Sequence, residues 1–131
     1  MNAQLKITLW IAIGGSLGTI ARFAANQIIG VPGTLIVNIL GSFILATLAG
    51  WTANRMLDTY WTQYGLGVGF CGAFTTMSAL AADTFHLQTT HTAPTAALYL
   101  ATTLALGLAA ATTGFAFGQR LCTTQTADET P

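Results

Sequence analysis

Three polar side chains fall inside otherwise apolar stretches of the chain, and their types suit the handling of an ion. Arg22 and Asn38 have hydrophobic residues on both sides in the sequence, and Asp83 lies between Ala82 and Thr84 within the apolar stretch 62–87. By the helical rise, they lie about 10, 6 and 6 Å from the same end of their respective segments, so we expect them to form one polar layer. Ionisable residues within a membrane mark a functional site by default.

This layer supports two interpretations. In the first, Arg22 and Asp83 form a structural ion pair. In the second, Arg22 raises the local positive potential and Asn38 donates amide hydrogens to a passing anion. The two are compatible, because an ion-paired arginine still contributes to the attraction of anions.

Hydroxyl side chains near this layer are further candidates for anion contact. They are Thr34, Thr75, Thr76 and Ser78. A hydroxyl can donate a hydrogen bond to an anion that has lost its water, although threonine in a membrane helix commonly bonds its own backbone instead.

Residues 69–76 (GFCGAFTT) predict a break in a helix. Two glycines and two adjacent β-branched threonines are poor helix formers, and they lie about 20 Å from the start of an apolar segment. Non-helical backbone at that depth is tolerated only where it is buried in protein or lines a cavity. Channels and transporters use such breaks to present carbonyls to cations and helix N-termini to anions. Two copies inserted in opposite directions would present the same carbonyls to one shared ion.

The elements that must position these residues are four apolar segments. The chain of 131 residues is 53% hydrophobic and only 6% charged, against about 25% charged in soluble domains. A membrane-spanning helix needs about 20 mostly apolar residues, and the segments 5–29, 34–53, 62–87 and 93–118 meet this requirement. We therefore predict an all-α membrane protein: one domain over 1–131, four transmembrane helices, the third broken at the midplane, and a short polar tail over 119–131.

Charge and small residues make predictions about insertion and assembly. Lys6, Arg55 and Arg120 would lie on one side of the membrane, which favours cytoplasmic termini. Because this bias rests on three charges and Arg22 lies toward the opposite face, the chain can insert either way. GxxxG pairs at 14/18, 65/69 and 114/118 predict more close-packed surface than one four-helix unit needs, and hence an oligomer.

Several function classes are disfavoured. Zero net charge gives no electrostatic basis for binding nucleic acid. His86 and His91 lack a neighbouring nucleophile or metal-ligand spacing, so we do not expect an enzyme. Cys71 and Cys122 fall at different membrane depths, which argues against a disulfide. A small multidrug transporter needs an intramembrane carboxylate, whereas the first segment has none and Asp83 lies near a helix end; this remains a weaker alternative.

Three stretches together resemble the Fluc (also called CrcB) family of fluoride channels. They are 14–23 (GGSLGTIARF), 33–43 (GTLIVNILGSF) and 69–78 (GFCGAFTTMS). They occur in the order and spacing of that family, within the same four-span layout.

The resemblance implies an antiparallel, dual-topology homodimer with two fluoride pores in a bacterial inner membrane. It implies passive export of fluoride and a structural sodium ion at the dimer centre, held by backbone carbonyls that correspond here to Gly72 and Thr75. It also places Asn38 in the pore wall and Arg22 near the vestibule.

One departure from the family concerns the pore. Members usually follow the two threonines with Phe-Ser-Thr-Phe-Ser, whereas this chain reads Met77-Ser78-Ala79-Leu80-Ala81. Both phenylalanines, whose electropositive ring edges line the fluoride path, are replaced by aliphatic side chains. An alternative is therefore a conduction-impaired subunit that acts beside a partner chain. The predicted anion pathway comprises Arg22, Thr34, Asn38, Thr76, Met77, Ser78 and Leu80.

Overall fold

The structure, a computed structural model, describes residues 2–53 and 61–127. Its elements are listed in chain order: α1 (Ala3–Ile29), α2 (Val31–Thr52), a π-helix (Trp61–Cys71), the single turn α3 (Gly72–Phe74), α4 (Met77–Thr90) and α5 (Ala93–Ala127). All regular structure in these ranges is helical. Arg55, on which part of the predicted topology depends, lies outside the described residues.

Four helical segments are long and apolar enough to cross a membrane. They are Ala3–Ile29, Pro32–Thr52, Trp61–Thr90 and Ala93–Leu121. The third contains the π-helix, α3 and α4, so it is one span built from three helical pieces. The prediction of an all-α membrane protein with a broken third helix is confirmed.

The connections are shorter than the sequence predicts. The four residues between the first two predicted segments, 30–33, reduce to a connection at Gly30, whose φ of 75° a glycine adopts without steric penalty. Pro32 lies in the first turn of α2. The N–H groups there have no partner within the helix, so the N–H that proline lacks costs no hydrogen bond. At the other end, α5 continues through Ala127. The helix thus extends beyond the predicted span 93–118 into the polar tail, because neither glycine nor proline follows Gly118 before Ala127 to end it.

The three GxxxG pairs pack helices within one chain. Cβ atoms added at Gly14 and Gly18 would overlap the carbonyl oxygens of Gly65 and Phe70 in the π-helix. In the same way, Gly118 of α5 lies against the backbone of Thr47 in α2. The first span thus packs against the third, and the second against the fourth, with their backbones in contact. Because this packing accounts for all three motifs, they give no independent reason to expect an oligomer.

The best-buried side chains surround the break in the third span. Thr34 and Val37 of α2, Cys71 at the end of the π-helix, and Leu80 of α4 are all at most 2% exposed. On α2, Gly41 faces Thr75 and Phe74 so closely that no Cβ would fit. The packed centre of this small bundle is therefore the place where α2 crosses the broken helix.

Candidate functional site

The break lies at Thr75 and Thr76, at the centre of the 30-residue third span. Both residues are extended, with ψ values of 153° and 122°. The Thr76 hydroxyl accepts a hydrogen bond from the Ala79 N–H at 3.2 Å and so caps the N-terminus of α4. The same hydroxyl lies 3.1 Å from the Ser78 hydroxyl. Residues that are poor helix formers thus end one helix and begin the next at mid-membrane depth.

Asn38 of α2 replaces the backbone partners that the break removes. Its Oδ1 accepts from the Thr76 N–H at 2.7 Å, and its Nδ2 donates to the Thr76 carbonyl at 3.0 Å. Both residues are 8% exposed. Buried backbone groups without partners are strongly disfavoured, so this pair of bonds is what allows extended backbone to persist here.

The pairing limits what Asn38 can offer an anion. A carboxamide has two N–H donors, and one of them is occupied by the Thr76 carbonyl. The second makes no hydrogen bond within the described residues. Asn38 can therefore donate one hydrogen bond to an ion, in an orientation fixed by its bonds to Thr76.

A groove of about 530 Å³ opens beside this pair. Its walls come from α2, the break, α4 and α5. Its polar lining is Asn38, Ser42, Thr75, Thr76 and Thr103, and its apolar lining includes Met77, Leu80 and Leu104. A largely apolar groove with a few hydrogen-bonding groups fits a small ion that exchanges water for protein contacts.

The structure brings together four of the predicted pathway residues at this groove: Asn38, Thr76, Met77 and Leu80. The last two differ sharply in exposure. Met77 is 67% exposed and its side chain has room to move, whereas Leu80 is 1% exposed and belongs to the packed core. Ser78 is exposed and reaches the site only through the Thr76 hydroxyl.

Arg22 and Thr34 lie away from the groove lining. Arg22 is half-buried on α1 and forms no ion pair with Asp83 within the described ranges. α1 packs against the π-helix, α3 and α2, while α4, which carries Asp83, packs against α5 and α2. The ion-pair interpretation was therefore wrong, because the two helices that carry these residues do not meet.

Asp83 instead belongs to a polar cluster with α5 and α2. Its Oδ2 accepts a hydrogen bond from the Tyr99 hydroxyl at 3.3 Å. The Tyr99 hydroxyl also hydrogen-bonds the Thr34 side chain and the Leu35 backbone. Thr34, at 2% exposure, thus has a buried partner, which links the first turn of α2 to α4 and α5.

Ser42, Tyr99 and Thr103 were not among the site residues predicted from the sequence. A signal was present, because Asn38 and Ser42 are four residues apart, as are Tyr99 and Thr103, and this spacing puts residues on one helix face. The Thr103 hydroxyl donates to the Tyr99 carbonyl at 2.8 Å. Its proton is therefore used within the helix, and its oxygen is the group available to the groove as an acceptor.

The carbonyl groups of Gly72 and Thr75 were predicted to bind a cation. Gly72 is exposed, and no atom of the described residues lies within 4 Å of the position of an added Cβ. Thr75 uses both its N–H and its hydroxyl to bond the Cys71 carbonyl, each at 3.0 Å. Its own carbonyl lies where regular helix ends and backbone acceptors lose their helical partners. Carbonyl oxygens are suitable ligands for a hard cation, but two from one chain leave its coordination shell incomplete.

Comparison with known proteins identifies the family. Residues 9–115 match the family described as "CrcB-like protein, Camphor Resistance (CrcB)". A protein of Halalkalibacterium halodurans named "Fluoride-specific ion channel FluC 2" is 41% identical over 128 residues, covering 94% of this chain and 93% of its own. A "Fluoride-specific ion channel FluC" of Gloeobacter violaceus is 38% identical, covering 86% of this chain and 95% of its own. One of the same name from Ignicoccus hospitalis is 34% identical, covering 89% and 98%.

The match spans all four membrane segments, and it includes the break and Asn38. The chain therefore belongs to the CrcB-like family.

Proposed function

We propose that this multi-pass membrane protein is a passive, fluoride-selective ion channel of a bacterial inner membrane, which releases fluoride from the cytoplasm. The observation that carries this function is the mid-membrane groove at the helix break, with the Asn38 carboxamide fixed in its wall. The relatives named as fluoride-specific channels support it. The small multidrug transporter considered from sequence does not agree with membership of this family.

The groove offers an anion more than one donor. Asn38 has one amide hydrogen left, and the N-terminus of the 14-residue helix α4 lies beside it. The first N–H groups of a helix favour negative charge. Arg22 would act from a distance by making the entrance more positive. These groups replace hydration water, while the apolar walls keep other water out.

Met77 takes the place of an aromatic group in this pathway. Its thioether is polarisable and flexible, but it presents no electropositive ring edge. Its exposure toward the groove makes it the side chain that most directly contacts a passing ion. Because Leu80 is buried, the alternative of a conduction-impaired subunit rests on Met77 more than on Leu80.

The functional unit that we propose is an antiparallel homodimer. The groove and Gly72 are open on the outside of a single chain at mid-membrane depth. Irregular backbone does not face lipid at that depth, so it needs a protein partner. A second copy inserted in the opposite direction would cover this face and complete two equivalent pathways.

A sodium ion on the dimer axis fits the same arrangement. The two chains together would supply four carbonyls, from both copies of Gly72 and Thr75, and bound sodium would supply a fixed positive charge between the two pathways. In the residues that the structure describes, no group of three or more His, Cys, Asp and Glu side chains could hold a metal. Backbone carbonyls are therefore the ligands that we assign to a cation.

The direct test is fluoride efflux from liposomes that contain only this purified protein, read with a fluoride electrode, with chloride efflux measured in parallel. Protein-free liposomes are the control. Fast fluoride release without chloride release is the expected result. A folded dimer that releases no fluoride would contradict the channel function and support the partner-dependent subunit.

A further inference from the structure

The peptide unit between Thr75 and Thr76 connects the two proposed ion sites. Its N–H belongs to Thr76 and donates to Asn38 Oδ1 at 2.7 Å. Its carbonyl belongs to Thr75, one of the proposed cation ligands. The described residues contain no cis peptide bonds, so this planar unit is trans and its N–H and C=O point in opposite directions.

Asn38 fixes the orientation of this peptide unit. The preceding peptide is held by the Thr75 N–H bond to the Cys71 carbonyl, and the following helix is held by the Thr76 hydroxyl. Between them, the Thr76 N–H has Asn38 Oδ1 as its hydrogen-bond partner. The bond from Asn38 Nδ2 to the Thr76 carbonyl keeps the carboxamide itself from rotating. Without Asn38, the Thr76 N–H would lose this partner, and rotation of the peptide unit about its two flanking torsions would be less restricted.

We propose that Asn38 is the positioning residue of the cation site as well as a donor in the anion groove. By holding the Thr76 N–H, it directs the Thr75 carbonyl away from α2 and toward the open side of the break, where Gly72 lies. This inference rests on the proposed function, because it takes the Thr75 carbonyl as a cation ligand. It adds that one carboxamide serves both ions.

The arrangement couples the two sites electrostatically. A positive charge at the Thr75 oxygen polarises the peptide unit and makes the Thr76 N–H a stronger donor to Asn38 Oδ1. Polarisation then continues to the remaining Nδ2 hydrogen, because hydrogen bonds in a chain strengthen one another. Sodium at the break therefore improves Asn38 as an anion donor, and by linkage an anion in the groove tightens sodium binding.

The test compares two substitutions that separate the two proposed functions of Asn38, positioning the Thr75–Thr76 peptide unit and donating to an anion. Asn38→Asp keeps an oxygen acceptor for the Thr76 N–H and places a negative charge in the groove, whereas Asn38→Ala removes the acceptor. Thr84→Val is the control, because the Thr84 hydroxyl donates within its own helix, to the Leu80 carbonyl 2.7 Å away. Thermal unfolding in detergent is followed as sodium replaces N-methylglucamine at constant ionic strength, and fluoride efflux is measured for each variant.

The sodium concentration for half-maximal stabilisation is the deciding quantity. We expect the same value for wild type and Thr84→Val. For Asn38→Asp we expect a value no higher than that of wild type, because its negative charge in the groove favours sodium, although its fluoride efflux falls. For Asn38→Ala we expect a value about tenfold higher, the ratio that corresponds to about 1.4 kcal/mol and to the loss of one hydrogen bond.

An Asn38→Ala protein that folds and responds to sodium like wild type would overturn the inference. If that variant does not fold at any sodium concentration, Asn38→Asp decides: an unchanged or lower sodium requirement supports the positioning role, and a tenfold increase refutes it. Wild-type protein that conducts fluoride without any sodium response would refute this inference and leave the channel function intact. Wild-type protein that is stabilised by sodium but conducts no fluoride would refute the channel function instead.

Discussion

The methyl group of Thr75 occupies the space that a Cβ at Gly41 would need. Gly41 lies on α2 one turn after Asn38, and Thr75 is the first extended residue of the break. The Thr75 hydroxyl is tied to the Cys71 carbonyl at 3.0 Å, which fixes the side-chain rotamer. The absence of a side chain at position 41 therefore lets α2 approach the break closely enough for Asn38 to bond Thr76.

We expect Gly41→Ala to destabilise the protein by about 1–3 kcal/mol, as overpacking does in a tight core. Thr75→Ser removes the obstructing methyl group and keeps the hydroxyl, so the double variant should regain most of the loss. Thermal unfolding of the two single variants and the double variant forms a double-mutant cycle. Additive effects would show that the two residues do not compete for the same space.

Substitution by phenylalanine should have opposite consequences at positions 77 and 80. Met77 is 67% exposed and lines the groove, so Met77→Phe has room and adds an electropositive ring edge to the pathway. We expect increased fluoride efflux from liposomes and little change in stability. A wild-type rate for a folded Met77→Phe protein would mean that position 77 does not limit conduction.

Leu80 is 1% exposed, so the larger ring of Leu80→Phe must displace its neighbours. We expect a loss of about 1–3 kcal/mol in stability from this overpacking, read from the thermal unfolding of the same preparations. Leu80→Met, which conserves volume, is the matched control and should cost less than about 1.5 kcal/mol. Equal unfolding midpoints for Leu80→Phe and wild type would contradict the buried position.

The spans and the break could be predicted from sequence because each depends on a local property. Apolar length determines a membrane span, and the weak helix propensity around Thr75 and Thr76 determines where one breaks. The partner of Asn38 could not be predicted, since it depends on how α2 crosses a segment 38 positions further along the chain. Sequence spacing gave Asn38 a depth in the membrane but no bonding geometry.

The contact partners of the charged residues and of the small residues could not be predicted from the sequence either. Arg22 and Asp83 were predicted to lie at similar depths, but depth does not determine which helices are neighbours. The partner of Asp83, Tyr99, carries no charge and so was not sought. GxxxG pairs likewise indicate close approach without naming the other helix, and here the approach of Gly14 is to the π-helix of the same chain.

The Tyr99 hydroxyl should stabilise the fold through its bonds to Asp83 and Thr34. We expect Tyr99→Phe to cost about 1–3 kcal/mol, because it leaves the buried Thr34 hydroxyl without this partner. Asp83→Asn keeps a carbonyl oxygen as acceptor and should change stability by less than about 1 kcal/mol. A larger loss for Asp83→Asn than for Tyr99→Phe would show that the charge of Asp83 matters more than this hydrogen bond.

Gly72 offers a test of the dimer that leaves the packing of one chain undisturbed. In the part of the chain that the structure describes, no heavy atom lies within 4 Å of an added Cβ at this position, in contrast to Gly14, where a Cβ would overlap backbone. A bulky residue at position 72 can therefore be accommodated by a single chain, whereas a second copy packed on this face would be displaced. Gly72→Trp should shift the protein from dimer to monomer, as measured by crosslinking or by single-molecule photobleaching in liposomes.

The control is Phe23→Trp on α1, at a side chain 64% exposed that does not border the groove. It places the same indole side chain at an exposed position away from the groove and should leave the dimer intact. Because the cation site that we propose needs carbonyls from both chains, Gly72→Trp should also lose stabilisation by sodium while Phe23→Trp keeps it. A Gly72→Trp protein that remains dimeric would place the contact between copies on a different face of the bundle.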